Sequence, residues 1–91
     1  MNTTPKFQLG QTVITPAAME VLTNGDVLTA LSRHVKGDWG DVSRHDREEN
    51  ELSLREGFRL FSVYHTTSDI KFWVITEADR SATTILLPED Y

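Results

Sequence analysis

The sequence predicts a small α+β domain, with two to three N-terminal helices followed by a three-stranded antiparallel β-meander. Apolar residues recur at helical spacing in the first two thirds of the chain, between capping residues and glycines. Aromatic and β-branched residues dominate three runs in the last third, joined by short polar connections. The length of 91 residues fits one domain over residues 1–91, in which residues 1–6 are predicted to be a flexible tail.

The N-terminal third predicts an extra strand and a short helix. Residues 7–14 have the composition of a strand that Gly10 interrupts. Thr15 is a favoured helix N-cap, and a proline at the first helical position loses no hydrogen bond that it needs. The first helix is therefore predicted over residues 17–22, and Asn24 and Gly25 end it.

Two further helices are predicted in the middle of the chain. Asp26 is the predicted N-cap of the second, whose apolar residues form one stripe as far as Val35. The third is predicted over residues 44–56, with Ser43 as its cap and Gly57 as its end. It contains few apolar residues, so we expect it to lie on the surface.

The last third predicts strands over residues 58–66, 70–77 and 82–87. Their apolar residues alternate onto both faces of the predicted sheet. Helices can cover one of these faces. The N-terminal segment then packs on the other face, or that face binds a partner.

Composition excludes several classes of function. The chain has no cysteine, so it has no disulfide framework, thiolate metal site or cysteine nucleophile. A net charge of −5 argues against a general phosphate-backbone binder, and direct nucleic-acid binding is not expected. The sequence contains no cofactor fingerprint and no metal-ligand spacing among its three histidines. With no signal-peptide or membrane-spanning pattern, the predicted location is cytoplasmic, without membrane contact.

The negative charge is concentrated in residues 36–57, where seven acidic and four basic residues give a net charge of −3. An acidic surface of this kind suits a protein partner with a basic surface. Within residues 37–40, Trp39 either packs into the core while Asp38 bonds the turn backbone, or both face a partner. The predicted partner-binding residues are acidic side chains with one aromatic anchor: Asp38, Trp39, Asp41, Glu48, Glu49 and Glu51.

A second interpretation is catalytic. If the sheet packs on the second helix, His34, His65, Arg80 and Thr83 converge, with Tyr64 beside them. Such a set suits phosphodiester cleavage, with the histidines as acid and base and the arginine on the phosphate. These residue types are common, and no spacing joins them.

Residues 33–40, 71–81 and 83–91 together resemble a family of short bacterial proteins. The resemblance covers nearly the whole chain. Members occur on plasmids, integrated elements and prophages, under labels such as "plasmid-related protein" or type I restriction modification subunit. Ninety-one residues without a cofactor fingerprint are too few for a methyltransferase domain.

The resemblance implies a protein of a mobile element. The leading hypothesis is a non-enzymatic interaction protein that inhibits a host defence or nucleic-acid-processing complex, of the anti-CRISPR or anti-restriction type. One alternative is a small ribonuclease or toxin, because the order of helices and strands loosely resembles barnase-like and RelE-like domains. The other is a structural protein that forms a homodimer through its strand face.

Overall fold

The computed structural model describes residues 4–91, which form a four-stranded sheet, three α-helices and a C-terminal 3-10 turn. Within this part of the chain, no helix is long and apolar enough to cross a membrane. The combination of three helices with one sheet confirms the predicted α+β class. In chain order the elements are β1 (Gln11–Ile14), α1 (Pro16–Val21), α2 (Asn24–Val35), α3 (Arg44–Glu56), β2 (Leu60–His65), β3 (Lys71–Thr76), β4 (Ala82–Leu86) and the turn Pro88–Asp90.

The helix ends follow the local sequence signals, with two changes. Asn24 and Gly25 do not end α1, which stops at Val21 because Leu22 is extended; they form the first turn of α2. The side chain of Thr15 accepts a hydrogen bond from the Ala18 N–H at 3.2 Å, as a helix cap does. Ser43 caps α3 and Gly57 ends it at φ 79°, as predicted. Asp26 is not the cap of α2. Thr23 is the cap, and Asp26 closes a capping box by accepting from the Thr23 N–H at 2.9 Å.

The sheet is mixed, which differs from the predicted antiparallel meander. The strands lie in the order β1-β4-β3-β2, and β2, β3 and β4 pair antiparallel as the meander requires. The added N-terminal strand β1 runs parallel to β4. The Gln11 N–H donates to the Ser81 carbonyl at 2.9 Å, and the Thr15 N–H donates to the Ile85 carbonyl at 3.0 Å. The prediction left the direction of β1 open because its partner lies some seventy residues away in sequence.

One face of the sheet is covered by α1 and α2. Side chains alternate along each strand, so those of Tyr64, Phe72 and Ile85 share this face. They are buried together with residues from the two helices. The complete buried cluster consists of Ala18, Leu22, Ala30, Tyr64, Phe72, Val74, Ile85 and Leu87.

The outer edge of β2 is closed by two devices. Residues 39–41 run beside it, where the Val63 N–H donates to the Trp39 carbonyl at 3.0 Å and the Asp41 N–H donates to the Val63 carbonyl at 2.8 Å. Two residues before Val63 in β2, the side-chain amide of Asn50 bonds both backbone groups of Phe61, at 2.7 and 3.0 Å. The Asn50 bonds fix α3 along the edge of the sheet.

The N-terminal segment lies partly within the domain. Residues 1–3 of the predicted tail are outside the described residues. The Lys6 N–H donates to the Val35 carbonyl at 2.7 Å, and the Thr83 hydroxyl donates to the Leu9 carbonyl at 2.7 Å. The segment before β1 is thus hydrogen-bonded to α2 and β4.

Candidate functional site

A groove lies on the face of the sheet opposite α1 and α2, which we call the open face. Its volume is about 560 Å³, within the range of ligand and side-chain binding sites. One wall is α3 and the floor is the open face of β2 and β3. Aromatic and aliphatic side chains from the sheet and its flanks line it, namely Phe58, Phe61, Trp73, Ile75 and Tyr91. We call this site the aromatic groove.

The rings of the aromatic groove pack edge to face. The centroids of Phe61 and Trp73 are 5.2 Å apart, and those of Trp73 and Tyr91 are 5.8 Å apart. Arg59 positions Tyr91 by donating to its hydroxyl at 3.1 Å. Phe58 and Tyr91 are 54% and 73% exposed, so large apolar surfaces face the solvent in this groove.

The wall formed by α3 is acidic and polar. Asp46 and Glu49 line the groove on successive turns of the helix. Within residues 4–91, neither carboxylate has a salt-bridge partner. Arg59 also lines the groove, with its guanidinium 5.7 Å from the centre of the Tyr91 ring, but the two carboxylates outnumber this positive charge. The groove therefore favours a cation with an apolar stem, because ring faces and carboxylates both attract positive charge. Arginine and lysine side chains have this chemistry.

Trp39 is a core residue, so its predicted role as an exposed anchor is wrong. Only 4% of its surface is exposed. Its indole N–H donates to Glu51 Oε2 at 3.0 Å, and its ring packs against those of Phe7 and His34 at centroid distances of 6.2 and 5.6 Å. The alternative prediction for this loop is the correct one, since Asp38 accepts from the Gly40 N–H at 3.3 Å.

Asp38 belongs to an ion pair with α2. Its carboxylate accepts two hydrogen bonds from Arg33, at 2.8 and 3.1 Å. These bonds lower the pKa of the Asp38 carboxyl and raise the pKa of Arg33. The Arg33 guanidinium also lies 4.7 Å from the centre of the Tyr64 ring, whose hydroxyl donates to the Asp38 carbonyl. Burial raises the pKa of Tyr64 to about 12.

The other predicted partner-binding residues are spread over several contacts. Asp41 lies 2.7 Å from His65 Nδ1, and Glu48 lies 3.3 Å from Arg44 on the outer side of α3. Glu51 accepts from the Trp39 indole. Of the six predicted residues, Glu49 lines the aromatic groove.

His34, the first residue of the catalytic interpretation, is fully buried in a chain of hydroxyl groups. Because the Thr83 hydroxyl donates to the Leu9 carbonyl, Thr76 must donate to Thr83 Oγ1, 2.7 Å away. Thr76 then accepts from His34 Nε2, at 2.9 Å, and Ser62 donates to Nδ1 at 2.6 Å. This assigns the Nε2–H tautomer. Burial, helped by the charge of Arg80, lowers the pKa of His34 to about 3, so it is neutral at pH 7.

The remaining residues of that interpretation do not meet His34 at a solvent-filled site. His65 points to the opposite face of β2 from Ser62, because side chains alternate along a strand. The Arg80 guanidinium is occupied by backbone carbonyls, since it donates to Phe58 at 2.6 Å and Ser53 at 2.9 Å. Its other acceptors are the carbonyls of Glu77 and Ala78.

Comparison with protein-family models, curated proteins and solved structures gives no match. The interpretation of the site therefore depends on its geometry. Among the described residues, no group of three histidine, aspartate or glutamate side chains is arranged to hold a metal ion.

Sequence reasoning missed the aromatic side chains of the groove. Phe58, Phe61, Trp73 and Tyr91 come from the strand-rich third, whereas the predicted site was placed around α3. The signal that identifies them is the presence of apolar residues on both faces of the predicted strands. Helices α1 and α2 cover one face, and on the other Phe58 and Tyr91 stay exposed while Phe61 and Trp73 are half-buried.

Proposed function

We propose that this chain is a non-enzymatic interaction protein that binds a basic segment of a partner protein in the aromatic groove. The observation that carries the proposal is the combination of exposed aromatic rings with two free carboxylates in one groove. Aromatic residues are the usual anchors of protein interfaces, and carboxylates at the border of the site select for positive charge.

The expected ligand is an extended segment with one arginine or lysine between apolar neighbours. The aliphatic stem of the basic side chain lies on Trp73 and Phe61, and its charged end reaches Glu49 and Asp46. Cation–π contacts of this kind contribute about 0.5–2 kcal/mol, depending on how far water is excluded. A net charge of −5 adds a long-range attraction that accelerates encounter with a basic partner.

The resemblance to mobile-element proteins directs the search for the partner. Host complexes that process nucleic acid have basic channels, and an acidic protein that occupies such a channel blocks it. We therefore propose inhibition of a host defence or nucleic-acid-processing complex as the biological role of this binding.

The experiment is a selection of random displayed peptides on the purified protein, followed by affinity measurements on the selected peptides. We expect enrichment of arginine or lysine flanked by apolar residues. Glu49→Gln and Trp73→Ala should each weaken binding about 3- to 30-fold, the range expected for losing one contact of about 0.7–2 kcal/mol.

Glu48→Gln is the matched control, because it makes the same chemical change one residue away, outside the groove. Its affinity should equal that of the unsubstituted protein. Selection of neutral or acidic peptides, or a peptide affinity that neither Glu49→Gln nor Trp73→Ala changes, refutes the proposal.

A further inference from the structure

The two edge strands of the sheet, β1 and β2, differ in how their outward-facing backbone groups are hydrogen-bonded. The β2 edge is closed by residues 39–41 and by Asn50, which bond the outward-facing backbone groups of Val63 and Phe61. The β1 edge has no equivalent within the described residues. Protein chains usually protect an open edge with charge, proline or a covering element, because an unpaired strand binds other strands.

The unpaired groups of β1 can be assigned from its register. Gln11 and Thr15 donate towards β4, and alternation along the strand places Val13 with them. The backbone groups of Thr12 and Ile14 therefore point away from the sheet. Between residues 4 and 91, neither residue has a hydrogen-bond partner on this outer side.

This edge is complementary to itself. If two copies pair antiparallel about a twofold axis at Val13, Thr12 of each copy lies opposite Ile14 of the other. About four backbone hydrogen bonds then form, and the two Val13 side chains meet at the axis. Val13 is 43% exposed, and β-branched pairs across antiparallel strands are stabilising.

The charge distribution permits two copies to pair through β1 and opposes contact through the acidic region around α3. Residues 1–35 contain two basic and two acidic side chains, so the part of the chain that includes β1 is neutral. The strand itself has no charged residue. Two copies that met through the acidic region around α3 would repel each other.

We infer that the β1 edge is a self-association surface, which joins two copies into one continuous sheet through Gln11–Ile14. A four-residue pairing buries little surface, so the dimer is weak and depends on concentration. This inference is independent of the proposed function, because β1 contributes no residue to the aromatic groove.

The test is sedimentation velocity over a concentration series, from micromolar to millimolar protein. Thr12→Pro removes an outward N–H without removing a donor to β4, and edge strands tolerate proline. Val13→Lys places a charge at the twofold axis. Both variants should remain monomeric at concentrations where the unsubstituted protein is largely dimeric, with unchanged circular dichroism.

Ser32→Lys is the control for added charge, because this exposed position on α2 lies in the same neutral third of the chain. It should dimerise normally. If Thr12→Pro fails to fold, Val13→Lys alone decides the result. A protein that is monomeric throughout the series, or a dimer that persists with Val13→Lys, overturns the inference.

Discussion

At the residue scale, His34 couples the core to pH. Both ring nitrogens bond buried hydroxyl groups, and the tautomer is set by a chain that ends at the Leu9 carbonyl. A proton on Nδ1 would face the Ser62 hydroxyl and break its donation. The interior therefore holds this imidazole neutral, and the folded pKa of about 3 expresses that preference.

Acid should destabilise the protein through His34. The unfolded histidine binds a proton below its ordinary pKa of about 6.5, whereas the folded one does so only near 3. The free energy of unfolding should thus fall by up to about 1.4 kcal/mol per pH unit as the pH drops through this window. Urea unfolding of the unsubstituted protein and His34→Gln at several pH values measures it.

His34→Gln should be less stable at neutral pH and show a flatter dependence on pH, because it lacks this proton uptake on unfolding. The exposed His45→Gln variant serves as the control and should keep the full slope. Identical slopes for the unsubstituted protein and His34→Gln would contradict the role assigned to His34.

The sequence identified which residues have a special role, but it did not predict whether their side chains are buried or exposed. Trp39 and Asp38 were identified as a pair with a special role, but glycine-flanked turns occur both in cores and in exposed loops. Burial of Trp39 depends on Phe7 and His34, which are distant in sequence. A single sequence does not reveal such a cluster.

At the scale of elements, the helix ends were largely predictable and the strand pairing was not. Ser43 and Gly57 act within one turn of α3, so local composition predicts them. The parallel partner of β1 and the closure of the β2 edge are contacts between distant segments. Pairing of this kind depends on how the whole chain folds back, which periodicity does not encode.

Gly40 tests the closure of the β2 edge. Its φ is 75°, and an added Cβ would overlap the Val63 carbonyl oxygen and lie 2.7 Å from Tyr64 Cδ1. Gly57 has a similar φ of 79° and no neighbouring atom within 4 Å. Gly57→Ala should cost about 1–2 kcal/mol from backbone strain, and Gly40→Ala about 1–3 kcal/mol more from the overlap.

Chemical denaturation of the two glycine variants gives both costs under the same conditions. Because the backbone strain is matched, their difference isolates the packing of residues 39–41 against β2. Equal losses of stability would mean that this segment does not close the edge as described.

At the scale of the whole molecule, one face of the sheet forms the core and the other forms the aromatic groove. The covered face holds the core and the buried hydroxyl chain of His34, Thr76 and Thr83. The open face has the aromatic groove, bordered by α3 and the C-terminal Tyr91. The acidic character noted in the sequence lies partly in that border, through Asp46 and Glu49.

The chain has two tryptophans, and they give the most direct test of this assignment. In an NMR titration with a capped peptide that contains one arginine between leucines, the Trp73 indole N–H signal should shift, and the buried Trp39 indole signal should not. The counterpart peptide with citrulline in place of arginine should cause much smaller shifts. A titration that moves the Trp39 signal and leaves Trp73 unchanged would contradict the aromatic groove as the binding site.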